Sequence, residues 1–261
     1  MASVNVPQPY PKNEFARELD TGAPISARVL PLHARISCIQ ETRLFRGLSF
    51  AECADVASAA QERCFAKGQT IFREGDPAQF VVVLVSGRVK LSQLSRFGTE
   101  VIFSVGETGE ILGGLALVPD GRHRTTAQCL GQCQLLTWEA RNFAALEEQI
   151  PVVRRNALAI LAERLYSLEE RFVELATERV APRLARMLMR LLEQGSRSSQ
   201  GIYRIDLSHE DLAQMIGTTL FTVSRLFSDW EEQGVVQTQR KAVVVLNPTG
   251  LAALAEAGNG R

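Results

Sequence analysis

The stretch SHEDLAQMIGTTLFTVSRLFSDW, residues 208–230, decides how the rest of the chain is read. Ser208 precedes a run of helix formers and has a carboxylate, Asp211, three residues on, close to the spacing of a capping box. Leu212, Ala213 and Ile216 belong to the helix that this starts, and Gly217 breaks it. Thr218 or Thr219 then offers a hydroxyl to cap a second helix, with Val223, Leu226, Phe227 and Trp230 turned inward. Two helices that cross at a tight turn need a small residue at the crossing and one that tolerates positive φ at the turn. They also need apolar residues facing back from the second helix. Ala213, Gly217, Val223 and Leu226 meet these needs in order, so the spacing predicts a helix-turn-helix.

The flanks extend this unit. Residues 182–194 read as a helix with Leu184, Met187, Leu188 and Leu191 on its apolar face, stopped by Gly195, and residues 202–207 alternate like a short strand. Gly234 ends the second helix. Residues 235–238 and 242–246 then form a hairpin around Gln239-Arg240-Lys241, a basic wing. The outer face of the second helix presents Thr219, Leu220, Phe221, Thr222, Ser224 and Arg225. Arg225 suits the O6 and N7 acceptors of a guanine in the major groove. Thr222, Ser208 and His209 suit phosphate, which sets position rather than sequence. Leu220 and Phe221 suit thymine methyl groups, and Arg240 and Lys241 carry the wing's charge.

Upstream, Pro151 opens a segment with no further proline until Pro182. Leu158, Leu161, Leu165, Leu168, Phe172 and Leu175 repeat at three and four residues, a heptad seam flanked by charged side chains. A helix of about thirty residues runs roughly 45 Å, longer than one small domain covers, so the seam is expected to pair with a second copy. Ala157, Ile160, Val173 and Ala176 are expected to face the domain before it.

That domain has a different texture. Short β-prone runs at 70–73, 80–85, 89–94, 100–105, 124–129 and 134–138 are separated by glycines, which argues for an antiparallel roll. Residues 36–60 carry short amphipathic stretches. The first 34 residues, with Pro7, Pro9, Pro11, Pro24 and Pro31, read as a loosely held extension. The expected fold is α+β: extension 1–34, antiparallel β-roll 35–150, dimerisation helix 151–181, and winged helix-turn-helix 182–261.

Composition limits the function classes. Lys+Arg and Asp+Glu stand at 29 each, so any nucleic-acid partner is met by a local basic face rather than by net charge. No apolar run spans a bilayer, and the first residues lack the apolar core of a secretory signal, which points to the cytoplasm. The five cysteines show no metal-site or disulfide-scaffold spacing, so no structural metal is expected. Cys129 and Cys133 flank Gly131-Gln132. Facing each other across a hairpin they are redox thiols, and buried apart they are inert. There is no phosphate-cradling loop, nucleophile elbow or metal-binding histidine pair, so an enzyme is not expected.

The glycine rhythm from Gly68 to Gly113, the long helix, and Ile216-Gly217 followed by Thr222-Val223-Ser224-Arg225 together resemble the cyclic-AMP receptor protein and fumarate–nitrate regulator family of bacterial transcription factors, over residues 36–246. The resemblance implies that the antiparallel β-roll is of jelly-roll, cyclic-nucleotide-binding-like type, and it implies a homodimer on an inverted-repeat operator, half-sites about one helical turn apart, and contact with RNA polymerase. Members that bind cyclic nucleotides hold the ribose with a Gly-Glu-Leu carboxylate and the cyclic phosphate with Arg-Ser or Arg-Thr. Here Arg124-Thr125 keeps the second half, but Gly113-Gly114-Leu115 lacks the carboxylate, and Leu168 stands where hydroxyl residues meet adenine. Arg124 and Thr125 still suit an anion, or Arg124 pairs with a carboxylate inside the roll. Cys38, Cys53 and Cys64 are too scattered for the family's iron–sulfur cluster. His33, His123 and the cysteines are candidate haem ligands. The effector stays open among a cyclic nucleotide, haem, another small molecule and none. Leu220-Phe221 replaces the Arg-Glu of the best-known recognition helices, which removes the carboxylate that reads cytosine.

The competing function is a nucleotide-binding module that acts on a protein partner without DNA.

Overall fold

Phe80–Ser86 is apolar at nearly every position, and the fold uses both of its faces. Successive strand side chains point to opposite sides. Val82 and Leu84 therefore enter the interior of a roll, while Val81 and Val83 meet helices packed outside it. The computed structural model describes residues 30–113, 121–194 and 203–257. The expected arm over residues 1–29, together with Gly114, Leu115, Gly195 and Ile202, lies outside these.

The chain opens with α1 (Leu32–Glu41), a 3-10 turn (Arg43–Phe45) and α2 (Phe50–Ala59). Helix α1 takes in the last three residues expected to belong to the extension. Ser49 and Glu52 form a capping box that starts α2. Eight strands follow: β1 (Gln61–Phe65), β2 (Thr70–Phe72), β3 (Phe80–Ser86), β4 (Val89–Leu94), β5 (Glu100–Gly106), β6 (Ile111–Leu112), β7 (Thr126–Cys129) and β8 (Cys133–Glu139). They form two antiparallel sheets ordered β1-β8-β3-β6 and β2-β7-β4-β5, the expected roll. Strands β1 and β6 went unread in the sequence. β1 is a polar edge, QERCF, with one buried side chain, and β6 is only two residues long.

Between the sheets lie Phe65, Ile71, Phe72, Leu84, Leu91, Leu112 and Leu135. Outside the first sheet, Phe45, Trp138 and Phe143 pack with ring centroids 5.6–6.2 Å apart. The Trp138 indole donates to the Val56 carbonyl at 2.9 Å, which ties α2 to the roll. Phe143 comes from α3 (Ala140–Gln149).

Helix α4 (Pro151–Thr177) is the long helix, about 40 Å at the standard rise. Val153 and Ala157 are buried against the roll, and Asn156 donates to the carbonyls of Leu44 and Arg46 at 3.0 and 2.8 Å. Farther along, the inward face becomes polar: Arg164 donates to the Ile111 carbonyl and Arg171 to the Phe103 carbonyl. This corrects one expectation. Val173 and Ala176 are exposed, because the inner stripe runs 153, 157, 160, 164, 167, 171, 174 and turns those two residues away. The strand edges at that level offer carbonyls, which an arginine satisfies and a valine cannot.

The C-terminal part comprises α5 (Val180–Gln194), β9 (Tyr203–Ile205), α6 (His209–Ile216), α7 (Leu220–Glu232), β10 (Val236–Gln239), β11 (Ala242–Val245) and α8 (Pro248–Glu256). The sheet order β10-β11-β9 makes the wing. Helix α8, which follows an Asn247 cap and Pro248, places Leu251 and Ala255 in the same core as α5. The pair Asn247-Pro248 signals that start, though it was passed over in the sequence.

Candidate nucleic-acid interface and sensor cavity

Each feature that the helix-turn-helix spacing demanded takes its place. Ser208 accepts from the Asp211 amide at 3.1 Å, and the Asp211 carboxylate accepts from the Ser208 amide at 3.0 Å. Gly217 adopts φ 65, ψ 51, in the left-handed region that glycine occupies without a Cβ clash. Thr219 accepts from the Thr222 amide at 3.2 Å and begins α7. Ala213 and Val223 are buried at the crossing with Phe227 and Trp230, and Leu226 is half-buried against them.

Packing divides the residues expected to touch DNA into two groups. Leu220, Phe221, Arg225, Arg240 and Lys241 are exposed, Phe221 at 77%. Lys241 sits at φ 64 in the tip of the wing. Three of the expected polar contacts are engaged inside the protein. The Ser208 hydroxyl donates to Asp211 at 2.5 Å, and the Ser224 hydroxyl lies 3.1 Å from His209 Nδ1. The His209 ring packs on Phe227 at 4.8 Å. Burial lowers the His209 pKa, which the nearby Glu231 only partly opposes. His209 is therefore an uncharged brace between α6 and α7. Thr219 and Thr222 share a hydroxyl contact of 2.9 Å at the exposed start of α7.

The unit is tied to the rest of the chain at several points. Val105 of β5 enters its core, and Leu130 packs on that core. Arg88 reaches the Asp206 carboxylate at 3.2 Å. Arg190 holds Glu174 of α4 through two bonds of 2.7 and 3.0 Å, and Arg186 holds Glu178 through two of 2.9 Å. Burial raises the Glu174 pKa, but the bond from Arg190 and the charges of Arg190, Arg186 and Arg171 outweigh it, and the net shift is downward. Arg186 and Arg190, at helical spacing after Glu174 and Glu178, are the signal of this clamp in the sequence, where the leucine seam overshadows it.

The leucine seam lies open along α4. Leu158, Leu161, Leu165, Leu168, Phe172 and Leu175 are exposed, Phe172 at 71%.

The roll's interior is nearly full. His123 is buried and stacked on Phe72, with ring centroids 3.7 Å apart and planes 9° from parallel. Burial lowers its pKa to about 4, so the ring is neutral. A Cβ on Gly113 would stand 2.9 Å from His123 Nδ1. The cavity that remains, lined by Phe65, Phe72, Val82, His123 and Leu135 among others, measures about 20 Å³, room for one water. Arg124 is exposed and Thr125 half-buried, and neither lines it; Leu168 lies on the outer face of α4. These described residues do not fit a cyclic nucleotide. His33 is exposed on α1 while His123 is enclosed in the roll, so haem gains no axial pair from them. Among the described residues no cluster of His, Cys, Asp or Glu could hold a metal.

A family model described as a Crp-like helix-turn-helix domain matches residues 182–254, and one described as a cyclic nucleotide-binding domain matches residues 62–149. The chain is similar to the Cyclic AMP receptor protein of Thermus thermophilus, 31% identical over 194 residues, which are 74% of this chain and 88% of that protein. It is similar to the Global nitrogen regulator of Synechococcus elongatus, 32% identical over 193 residues, 72% of this chain and 86% of that protein. The solved structure of FixK2 from Bradyrhizobium japonicum shares the fold, with a TM-score of 0.67 at 24% identity, covering 75% of this chain and 96% of that one.

Proposed function

The chain belongs to the CRP/FNR family of transcription regulators, and from that premise we infer that it works as a homodimer that places two copies of α7 in successive major grooves of an inverted-repeat operator. The observation that carries this reading is the exposed face of Leu220, Phe221 and Arg225 on a helix whose opposite face is fully packed. Arg225 reads a guanine, Phe221 and Leu220 meet thymine methyls, and Thr219, Thr222, Arg240 and Lys241 meet the phosphate backbone. Ser208 caps α6, and His209 with Ser224 holds α6 against α7 and so sets the angle at which Arg225 is offered. The two seams pair along α4, and RNA polymerase is the further partner. Such work belongs in the cytoplasm, and no described helix is long and apolar enough to cross a membrane.

The helix-turn-helix argues against a module that acts without DNA. A cyclic nucleotide does not fit the cavity beside His123, which has room for about one water. Selection of duplexes from a random-sequence library with the purified protein tests the reading. An inverted repeat with half-sites about one helical turn apart is expected, and enrichment of no sequence overturns it.

A further inference from the structure

Cys129 closes β7 and Cys133 opens β8, on strands that belong to different sheets, with Leu130-Gly131-Gln132 between them. Both are buried in the one cluster that lies between the two sheets of the roll, rather than paired across one ladder. The two thiols interact, each perturbing the ionisation of the other. Cys133, when protonated, donates to the Arg88 carbonyl at 3.3 Å, with the Gly131 carbonyl at 3.6 Å. Both cysteines are buried, yet the cover over Cys133 is thin. Gly87 and Gly131 are half-exposed, and a Cβ on Gly87 would stand only 2.7 Å from the Cys133 sulfur. Neither cysteine lines the cavity beside His123.

The same turn borders the DNA-binding unit. Leu130 packs on its core, and Arg88 pairs with Asp206 through its side chain at 3.2 Å. Two of the contacts between the roll and the helix-turn-helix thus flank the two sulfurs.

We propose that Cys129 and Cys133 are a dithiol that hydrogen peroxide oxidises to an intramolecular disulfide, and that this bond alters the contact between the roll and the DNA-binding domain. The hydrogen bond from Cys129 lowers the pKa of Cys133, and it raises that of Cys129 together with burial, so Cys133 is the attacking sulfur. The Cys133 thiolate takes one oxygen of peroxide, the O–O bond breaks, and the departing hydroxide gains a proton to leave as water. The Cys129 sulfur then attacks the Cys133 sulfenic acid, the S–O bond breaks, and a second water leaves with the Cys129 proton. Two thiols and one peroxide become one disulfide and two waters. The oxidised Cys133 has no proton for the Arg88 carbonyl, and the two sheets are pinned beside Leu130.

The effect on DNA rests on the reading proposed above, so the experiment reads bond, contact and DNA separately. Full-length reduced protein is treated with hydrogen peroxide, alkylated and mapped by mass spectrometry. The peptide holding Cys129 and Cys133 is expected to lose two hydrogens while Cys38, Cys53 and Cys64 still alkylate. Amide exchange over residues 204–216 is expected to change on oxidation and to recover with dithiothreitol. Affinity for duplexes selected with the reduced protein is expected to shift by about fivefold or more. Cys129→Ser is expected to abolish all three responses, and if it does not fold, the wild-type protein with and without reductant carries the test. Oxidation only at other cysteines, sulfinic acid at Cys133 with no disulfide, or a disulfide with unchanged exchange at 204–216 overturns the proposal. Failure of the reduced protein to select any duplex, with the bond and the exchange change intact, counts against the DNA reading alone.

Discussion

Leu175, near the end of the long helix, touches the turn of the helix-turn-helix: its Cδ1 lies 3.4 Å from where a Cβ on Gly217 would stand. The residue that ends the expected dimer seam thus also abuts the joint between α6 and α7. Gly217→Ala puts a side chain at φ 65 and against Leu175, and the left-handed conformation alone costs about 1–2 kcal/mol. Urea denaturation should show that loss, and Gly217→Asn should lose less, because asparagine tolerates this region better. Equal stability of all three proteins would contradict the account.

Leu165→Glu should yield a monomer by sedimentation, since full burial of each such side chain contributes about 1.5–3 kcal/mol to pairing. Leu165 is exposed in the single chain, so the circular dichroism of the monomer should remain that of the folded protein. A dimer that persists with Leu165→Glu and Phe172→Glu together would place the interface elsewhere.

Arg225→Ala should weaken binding to the selected operator by about 1–3 kcal/mol and relax the choice at one guanine. Binding to random duplex should change far less, because a base contact is lost rather than a phosphate contact. A uniform loss on both duplexes would assign Arg225 to the backbone.

Arg190→Met removes the twin bonds to Glu174 and leaves a buried carboxylate paired, among the described residues, with Arg186 at 3.7 Å. A loss of about 2–3 kcal/mol is expected, and Glu174→Gln in the same chain should recover part of it. Calorimetry on the two single variants and the double variant measures the coupling, and strict additivity would mean that the clamp contributes nothing.

Burial holds the folded-state pKa of His123 at about 4, below the usual value near 6.5. Below pH 6.5 the unfolded chain binds the proton that the folded chain refuses, so stability falls as the pH drops from about 6.5 to about 4. The loss is at most about 3 kcal/mol. His123→Phe keeps a ring on Phe72 without the titration, so its Tm should decline less over that window. Parallel pH profiles for the two proteins would show that His123 is not the group responsible.

The helix-turn-helix was legible because its constraints are local: a cap, a small residue, a left-handed turn and an apolar return fall within residues 208–230. The roll was legible for a similar reason, since glycines mark its corners and the β3 run cannot be exposed on either face. The inner face of α4 was not. Val173 and Ala176 look like the apolar flank of the seam, but the carbonyls of Ile111 and Phe103 select Arg164 and Arg171, and only the strands' positions bring those carbonyls there. Strand β1 escaped notice because an edge strand with polar side chains carries no periodic signal.

From its order of residues alone, then, the chain settles the two helices of its helix-turn-helix, the strands that glycines bound and its leucine seam, since each follows from spacing within a few turns. Tertiary packing decided which polar groups are free. It committed Ser208 to capping α6 and His209 with Ser224 to bracing α6 against α7, filled the roll with His123, and buried Cys129 and Cys133 in one cluster. Those outcomes depend on which distant strands and helices meet, because a hydroxyl, an imidazole or a thiol takes its role from the partner within reach, and reach across sheets is not written in local spacing.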